Sequence, residues 1–273
     1  MSIEPRLQNS LRFFPAMLLV TTILLNILWP LTDNYLRDVV TIAGVLTFFI
    51  ESKTHAFVTR GFSYTVKFVF VVLICSFLAE VIGVNTGVPF GTYHYGDRLG
   101  PTLLNVPLLI PFAWFMMLYP STLVAQTITA SRWKQIGIAG WLMATWDLFL
   151  DPQMVNEGYW WWFDETDNPT NIIPLSNFVG WFLVSVAILS IVYLALGQPE
   201  ERTKPTRADR VPYLAIMWVW LGSFLANIVP VSPFLNQPRV ALTGLIGMGI
   251  VLAPWLWRHH RLLFTVSKLK ADS

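Results

Sequence analysis

The sequence predicts an all-α, polytopic integral membrane protein: a helix bundle of about eight transmembrane helices, one domain over residues 1–273. Three observations predict it. Apolar residues make up 55% of the chain and charged residues only 12%, with a mean hydropathy of +0.56, whereas soluble domains carry about 25% charged residues. A water-soluble fold of this size has too little interior to hide so much apolar surface. Runs of about 20 mostly apolar residues, the length that crosses a bilayer, recur along the chain. Lys and Arg, finally, collect on alternate connections between those runs.

The first run, 13–31, follows Arg6 and Arg12. No small-residue cleavage site follows it, so it reads as a retained span rather than a signal peptide. A shorter stretch at 35–50 holds only a dozen uninterrupted apolar residues, and if it does not cross, the count is seven. The runs 62–84, 106–128, 135–151 and 173–197 come next, then the polar connection 198–210 with two prolines, which reads as a cytoplasmic loop. The last runs are 211–231 and 240–257, followed by a cytoplasmic tail at 258–273. Gly244, Gly247 and Gly249 lie inside the final run without a preceding strand, so they read as a close helix contact rather than a nucleotide fingerprint. With the 35–50 span included, fifteen of the 18 Lys and Arg fall on one side, and Arg37, Arg98 and Arg239 on the other. That asymmetry predicts eight spans in the cell membrane with both termini cytoplasmic.

Composition also narrows the chemistry. The formal charge is +2 and no basic run is interleaved with aromatics, so nucleic acid is not an expected partner. One cysteine, Cys75, permits no intrachain disulfide and reads as a small core residue. Four histidines are too few for the histidine boxes of membrane di-iron oxygenases. Three of them, His55, His259 and His260, fall in the expected cytoplasmic loop and tail. No metal site and no cofactor is expected.

Charged residues inside spans are costly and mark function. Glu80 lies 13 residues after Lys67, and Asp147 lies 13 residues after Lys134, each about 20 Å along an outward-running helix. Asp151 follows Asp147 by four, on the same helical face. Three carboxyls from two helices thus approach the outer leaflet. The connections on that side are unusual: 87–101 is rich in Gly and Pro and holds Tyr93, His94, Tyr95, Asp97 and Arg98, and 156–171 holds three consecutive tryptophans. One account is an interfacial aromatic belt with Asp97 and Arg98 as a local ion pair. The convergence of acids, turns and tryptophans favours a pocket lid.

An aromatic pocket with buried carboxyls suits an apolar substrate that reacts through a carbocation. A carboxyl in low dielectric keeps its proton at neutral pH and can act as an acid. Aromatic faces stabilise the cation, and a second carboxylate or a tyrosine orients water. Two like charges as close as Asp147 and Asp151 should leave one of the pair protonated. Glu80 can share that role or hold helices together, while Tyr93, Tyr95 and Asp97 can orient water. His94 is either a hydrogen-bonding loop residue or a proton carrier, and Asp151 could simply close a helix before Pro152.

The segments GVPFGTYHYGDRLGP (87–101), VPLLIPFAWFMM (106–117), WDLFLDPQMV (146–155), GYWWW (158–162) and IPLSNFVGW (173–181) together resemble the membrane carotenoid 1',2'-hydratase family, over roughly residues 60–185. The resemblance implies cofactor-independent addition of water across the terminal double bond of an acyclic carotenoid end group, C40 or C50, giving a tertiary alcohol. It implies a carotenoid substrate, a lipid bilayer and other carotenoid biosynthesis enzymes as partners. Within the quoted segments, Asp147, Asp151, Tyr93, His94, Tyr95 and Asp97, together with Glu80, form the expected catalytic set. Phe90, Trp114, Trp146, Tyr159, Trp160, Trp162, Asn177 and Trp181 form the expected substrate contacts.

Two other functions fit parts of the pattern. Asp147 and Asp151 have the D-x-x-x-D spacing of magnesium-diphosphate motifs in membrane prenyltransferases, but a second acidic motif and the basic residues for a diphosphate are missing. A carotenoid-binding or transport protein also uses intramembrane acids, although no inverted repeat is visible.

Overall fold

A computed structural model describes residues 5–163, 166, 168–170, 172–197, 209–230 and 235–264. The described chain is an all-α membrane bundle of eight helices: α1 Pro5–Leu28, α2 Asn34–Arg60, α3 Phe62–Thr86, α4 Ile110–Ile128, α5 Arg132–Asn156, α6 Leu175–Leu196, α7 Arg210–Ile228 and α8 Pro238–Phe264. A short 3-10 turn, Trp29–Leu31, joins α1 to α2. Five of the helices, α1, α3, α6, α7 and α8, are long and apolar enough to cross a membrane.

Of the other three, α4 is the most fully enclosed. Every residue of α4 from 114 to 127 is buried, enclosed by α2, α3, α5 and α7. A helix wrapped by protein need not match lipid, and α5 accordingly carries Asp147 and Asp151 within its length. The short second run belongs to a 27-residue helix, α2, whose continuation past residue 50 buries Glu51, Ser52 and His55. Its polar second half hid the helix from a hydropathy count. His55 therefore sits inside the bundle, with its Nδ1 2.8 Å from Tyr119 Oη, and not in the loop expected for it.

Several boundaries differ from the sequence expectation. Residues 102–107 form a hairpin of β2 (Thr102–Leu103) and β3 (Val106–Pro107), so α4 starts at Ile110, with Pro111 in its first turn. Helix α5 continues through Pro152 to Asn156, which corrects the alternative that Asp151 closes a helix. Helix α8 runs to Phe264, so His259 and His260 are helical and the tail expected from 258 begins inside it. Most of the connection expected at 198–210 and residues 265–273 lie outside the described residues.

The glycines of α8 do mark a close helix contact. A Cβ at Gly244 would stand 2.5 Å from the Phe149 ring, and one at Gly247 would stand 2.9 Å from Leu148. At that contact Trp141 Nε1 donates to the carbonyl of Gly247 at 2.9 Å. This packing seats α8 against α5 and fixes the helix that carries Asp147 and Asp151.

Over the same end of the bundle lies a three-stranded antiparallel sheet in the order β1 (Tyr93–Tyr95), β4 (Trp160–Phe163), β5 (Pro169–Thr170). Its register pairs Tyr93 with Trp162, His94 with Trp161 and Tyr95 with Trp160. Both turn-rich connections therefore meet as one lid.

Candidate active site

Alternation along the lid strands decides which side chains reach inward. Successive residues of a strand point to opposite faces, so Tyr93, Tyr95, Trp160 and Trp162 face the bundle, whereas His94 is exposed and packs edge-on to Phe163 at 4.9 Å. The lid is anchored by Phe90. A Cβ at Gly83 of α3 would lie 2.6 Å from the Phe90 ring, and one at Gly180 of α6 would lie 2.8 Å from it. Only glycine at both positions lets this ring wedge between the two helices. Trp162 Nε1 then donates to the Phe90 carbonyl at 3.0 Å, tying β4 to the same anchor.

Beneath the lid is a cleft lined mostly by apolar side chains. Glu80, on α3, is held from three directions: Tyr93 Oη donates to its Oε2 at 2.5 Å, Tyr95 Oη to the same oxygen at 2.8 Å, and Trp114 Nε1 to its Oε1 at 2.9 Å. These three contacts fix the carboxyl at the wall between α3, α4 and the lid. Burial, and then the charge of Glu80, push the Tyr93 and Tyr95 phenols up, so both stay protonated and keep donating.

The two aspartates meet a different partner. The Asn177 amide on α6 spans them, its Nδ2 2.6 Å from Asp147 Oδ2 and 2.6 Å from Asp151 Oδ2. One NH2 offers one hydrogen to each carboxyl. Asp151 Oδ1 also accepts from Trp160 Nε1 at 3.1 Å, while Asp147 Oδ1 is buried with no hydrogen-bond partner. Asp151 lines the cleft, and Asp147 stands behind it, fully buried.

Aromatic rings form the rest of the wall. Trp114 and Trp181 stack at 4.3 Å, Trp146 meets Trp181 edge-on at 5.9 Å, and Tyr93 stacks on Trp162 at 5.8 Å. No lysine or arginine is among the described residues lining the cleft. Among the described residues, no group of three or more His, Cys, Asp or Glu is placed to hold a metal ion.

The structure thus gathers Glu80, Asp147, Asp151, Tyr93 and Tyr95 with Phe90, Trp114, Trp146, Trp160, Trp162, Asn177 and Trp181. It does not gather His94 or Asp97, which are exposed on the lid, or Tyr159, which is buried outside the cleft lining. Tyr159 donates to Asp38 Oδ1 at 2.9 Å and lies 2.9 Å from Thr41 Oγ1. Arg98 does not pair with Asp97. It pairs with Asp38 of α2 at 2.7 Å and donates to the Glu157 carbonyl, and Arg37 of α2 pairs with the Glu157 carboxylate. This latch of Arg37, Asp38, Arg98 and Glu157 clamps both halves of the lid to α2. The sequence held a signal for it: Arg37 and Arg98 are basic residues on the side nearly bare of them, each with an acid available at the same depth.

A family model described as "Carotenoid biosynthesis protein" matches residues 36–252. The chain is similar to the bisanhydrobacterioruberin hydratase of Haloarcula japonica, 28% identical over 188 residues, a match that covers 64% of this chain and 59% of that protein. The chain therefore aligns with less than two thirds of that relative's length. No solved structure matches.

Proposed function

The chain belongs to the carotenoid biosynthesis protein family, and from that premise we propose that it is a hydratase. On this proposal it adds water across the terminal double bond of an acyclic carotenoid end group of the C40 or C50 type, without a cofactor. The observation that carries the proposal is the carboxyl pair bridged by Asn177 and opening, through Asp151, on an aromatic cleft.

Two carboxyls around one amide in a buried site hold one proton between them. Asp151 delivers it to the terminal alkene: the π bond breaks, a C–H bond forms, and a tertiary carbocation results. The anionic Glu80 and the faces of Trp114, Trp181 and Trp162 stabilise that cation, each aromatic face by up to about 2 kcal/mol when desolvated. Water then forms the C–O bond and returns its extra proton to the pair. The enzyme ends in its starting protonation state, so no redox group takes part. Asp147 holds the shared proton and positions Asp151.

The 15-to-3 distribution of basic residues supports a multi-pass arrangement with both termini in the cytoplasm and this site in the outer half of the membrane. The test of the reaction is expression in cells that accumulate an acyclic carotenoid, grown in water labelled with oxygen-18. The product should be heavier by one or two waters and carry the label. Label arriving from dioxygen refutes hydration, and carotenoid recovered unchanged on the purified protein points instead to a carotenoid-binding or transport role.

A further inference from the structure

A second cavity adjoins the cleft. The two share a wall: Thr41 and Val45 of α2, Met116 of α4, and Trp146, Leu150 and Met154 of α5 line both. From this wall the second cavity extends between α1, α2 and α7, past Leu25, Phe48, Val219 and Ala226. Val219 and Ala226 are half-buried, and their helix neighbours Leu221 and Leu225 face outward.

The polar side chains around this space are largely paired with one another. Thr22 Oγ1 donates to Thr47 Oγ1 at 3.1 Å, Trp29 Nε1 to Thr41 Oγ1 at 2.7 Å, and Trp218 Nε1 to Asn26 Oδ1 at 3.0 Å. With these groups paired the larger part of the lining is apolar, so the space can take a hydrocarbon. On the other side of the cleft, the Trp162 bond to the Phe90 carbonyl closes the lid. A conjugated chain is a stiff rod that cannot fold back into the cleft holding its own end group. It must leave in a line, and the wall of Met116 and Trp146 is the side with room beyond it.

We propose that the second cavity binds the polyene chain of the substrate, so that the two cavities form one channel with the reactive end at Asp151 and the chain running past Met116 and Trp146 to α7. The inference rests on the hydratase reading and extends it to how the enzyme selects long substrates. Met116, unbranched and adaptable, is the side chain suited to let a rod through and close behind it.

The test uses the full-length protein in lipid nanodiscs with two substrates sharing one acyclic end group: a full-length acyclic carotene, and an apocarotenal shortened to a few double bonds. Ala226→Trp and Val219→Phe fill the second cavity from α7, and Leu221→Trp on the outward face is the control. Both filling variants should lower kcat/KM for the full-length carotene by about tenfold or more while leaving the apocarotenal within about twofold, and Leu221→Trp should change neither. Unchanged conversion of the carotene by both filled variants overturns the channel while leaving hydration standing, as does an equal loss on both substrates. If wild type hydrates neither substrate, the hydratase reading itself fails. Should Ala226→Trp not accumulate, Val219→Phe decides, and the visible circular dichroism of the bound carotene gives a second readout. Loss of that signal supports the channel, and its retention at wild-type strength overturns it.

Discussion

At the scale of single residues, the cleft separates two kinds of carboxyl. Glu80 is held by two phenols and an indole, a setting in which its charged form would be an electrostatic partner for a cation. Asp147 and Asp151 share one amide, so either can hold a proton. The prediction follows from that contrast. Asp151→Asn and Asp147→Asn should each reduce turnover by at least about a hundredfold, the scale of losing a general acid or base, with the helical far-ultraviolet spectrum and carotenoid binding retained. His94→Ala, on the outer face of the lid, should stay within about threefold of wild type. Near-normal turnover in both Asp147→Asn and Glu80→Gln, at unchanged expression, would sink the proposed site.

At the scale of elements, the lid depends on how closely α3 and α6 let Phe90 approach. Gly180→Ala places a Cβ 2.8 Å from that ring, an overpacking that should cost about 1–3 kcal/mol and lower turnover by displacing β1. Gly137→Ala, on α5 with nothing within 4 Å of the added carbon, should instead stabilise by about 0.5–1 kcal/mol, since glycine is the poorer helix residue. Opposite shifts in melting temperature would bear this out, and a neutral Gly180→Ala would remove Phe90 as the anchor. Much of this element was legible in advance. The spacing of Asp147 and Asp151 put them on one face, and their depth matched that of Glu80. The alternation in Tyr93, His94 and Tyr95 also foretold that the middle residue would point away, had the lid been read as strands. The partners of Arg98 were not legible. Asp38 lies sixty residues earlier, and only the approach of α2 to the lid brings the two together, so a neighbouring acid in sequence was a poor guide to a contact made in space.

At the scale of the molecule, an even number of helices returns the chain to the side on which it began. Reporter fusions at the C-terminus and near Lys204 should report cytoplasm, and one near Asn168, in the connection that carries β5, should report the outside. A cytoplasmic signal near Asn168 would move the cleft to the inner leaflet and overturn the orientation. The spans facing lipid were readable from hydropathy because lipid demands apolar residues along their whole length. α2 was harder to see because half of it faces protein, where Glu51 and His55 are tolerated.

The complete enclosure of residues 114–127 of α4 bears on how this protein is made. A segment leaving the ribosome is offered to the bilayer before the segments that follow it exist, and it stays there on its own affinity for lipid. α4 has no charged residue in its 19 positions, whereas α5 carries Asp147 and Asp151, and two of the helices packed against them, α7 and α8, are synthesised last. Contacts that α4 first makes with lipid are exchanged for contacts with α5 and α7 as those helices arrive. The burial of α4 is completed by the later part of the chain rather than at its own insertion.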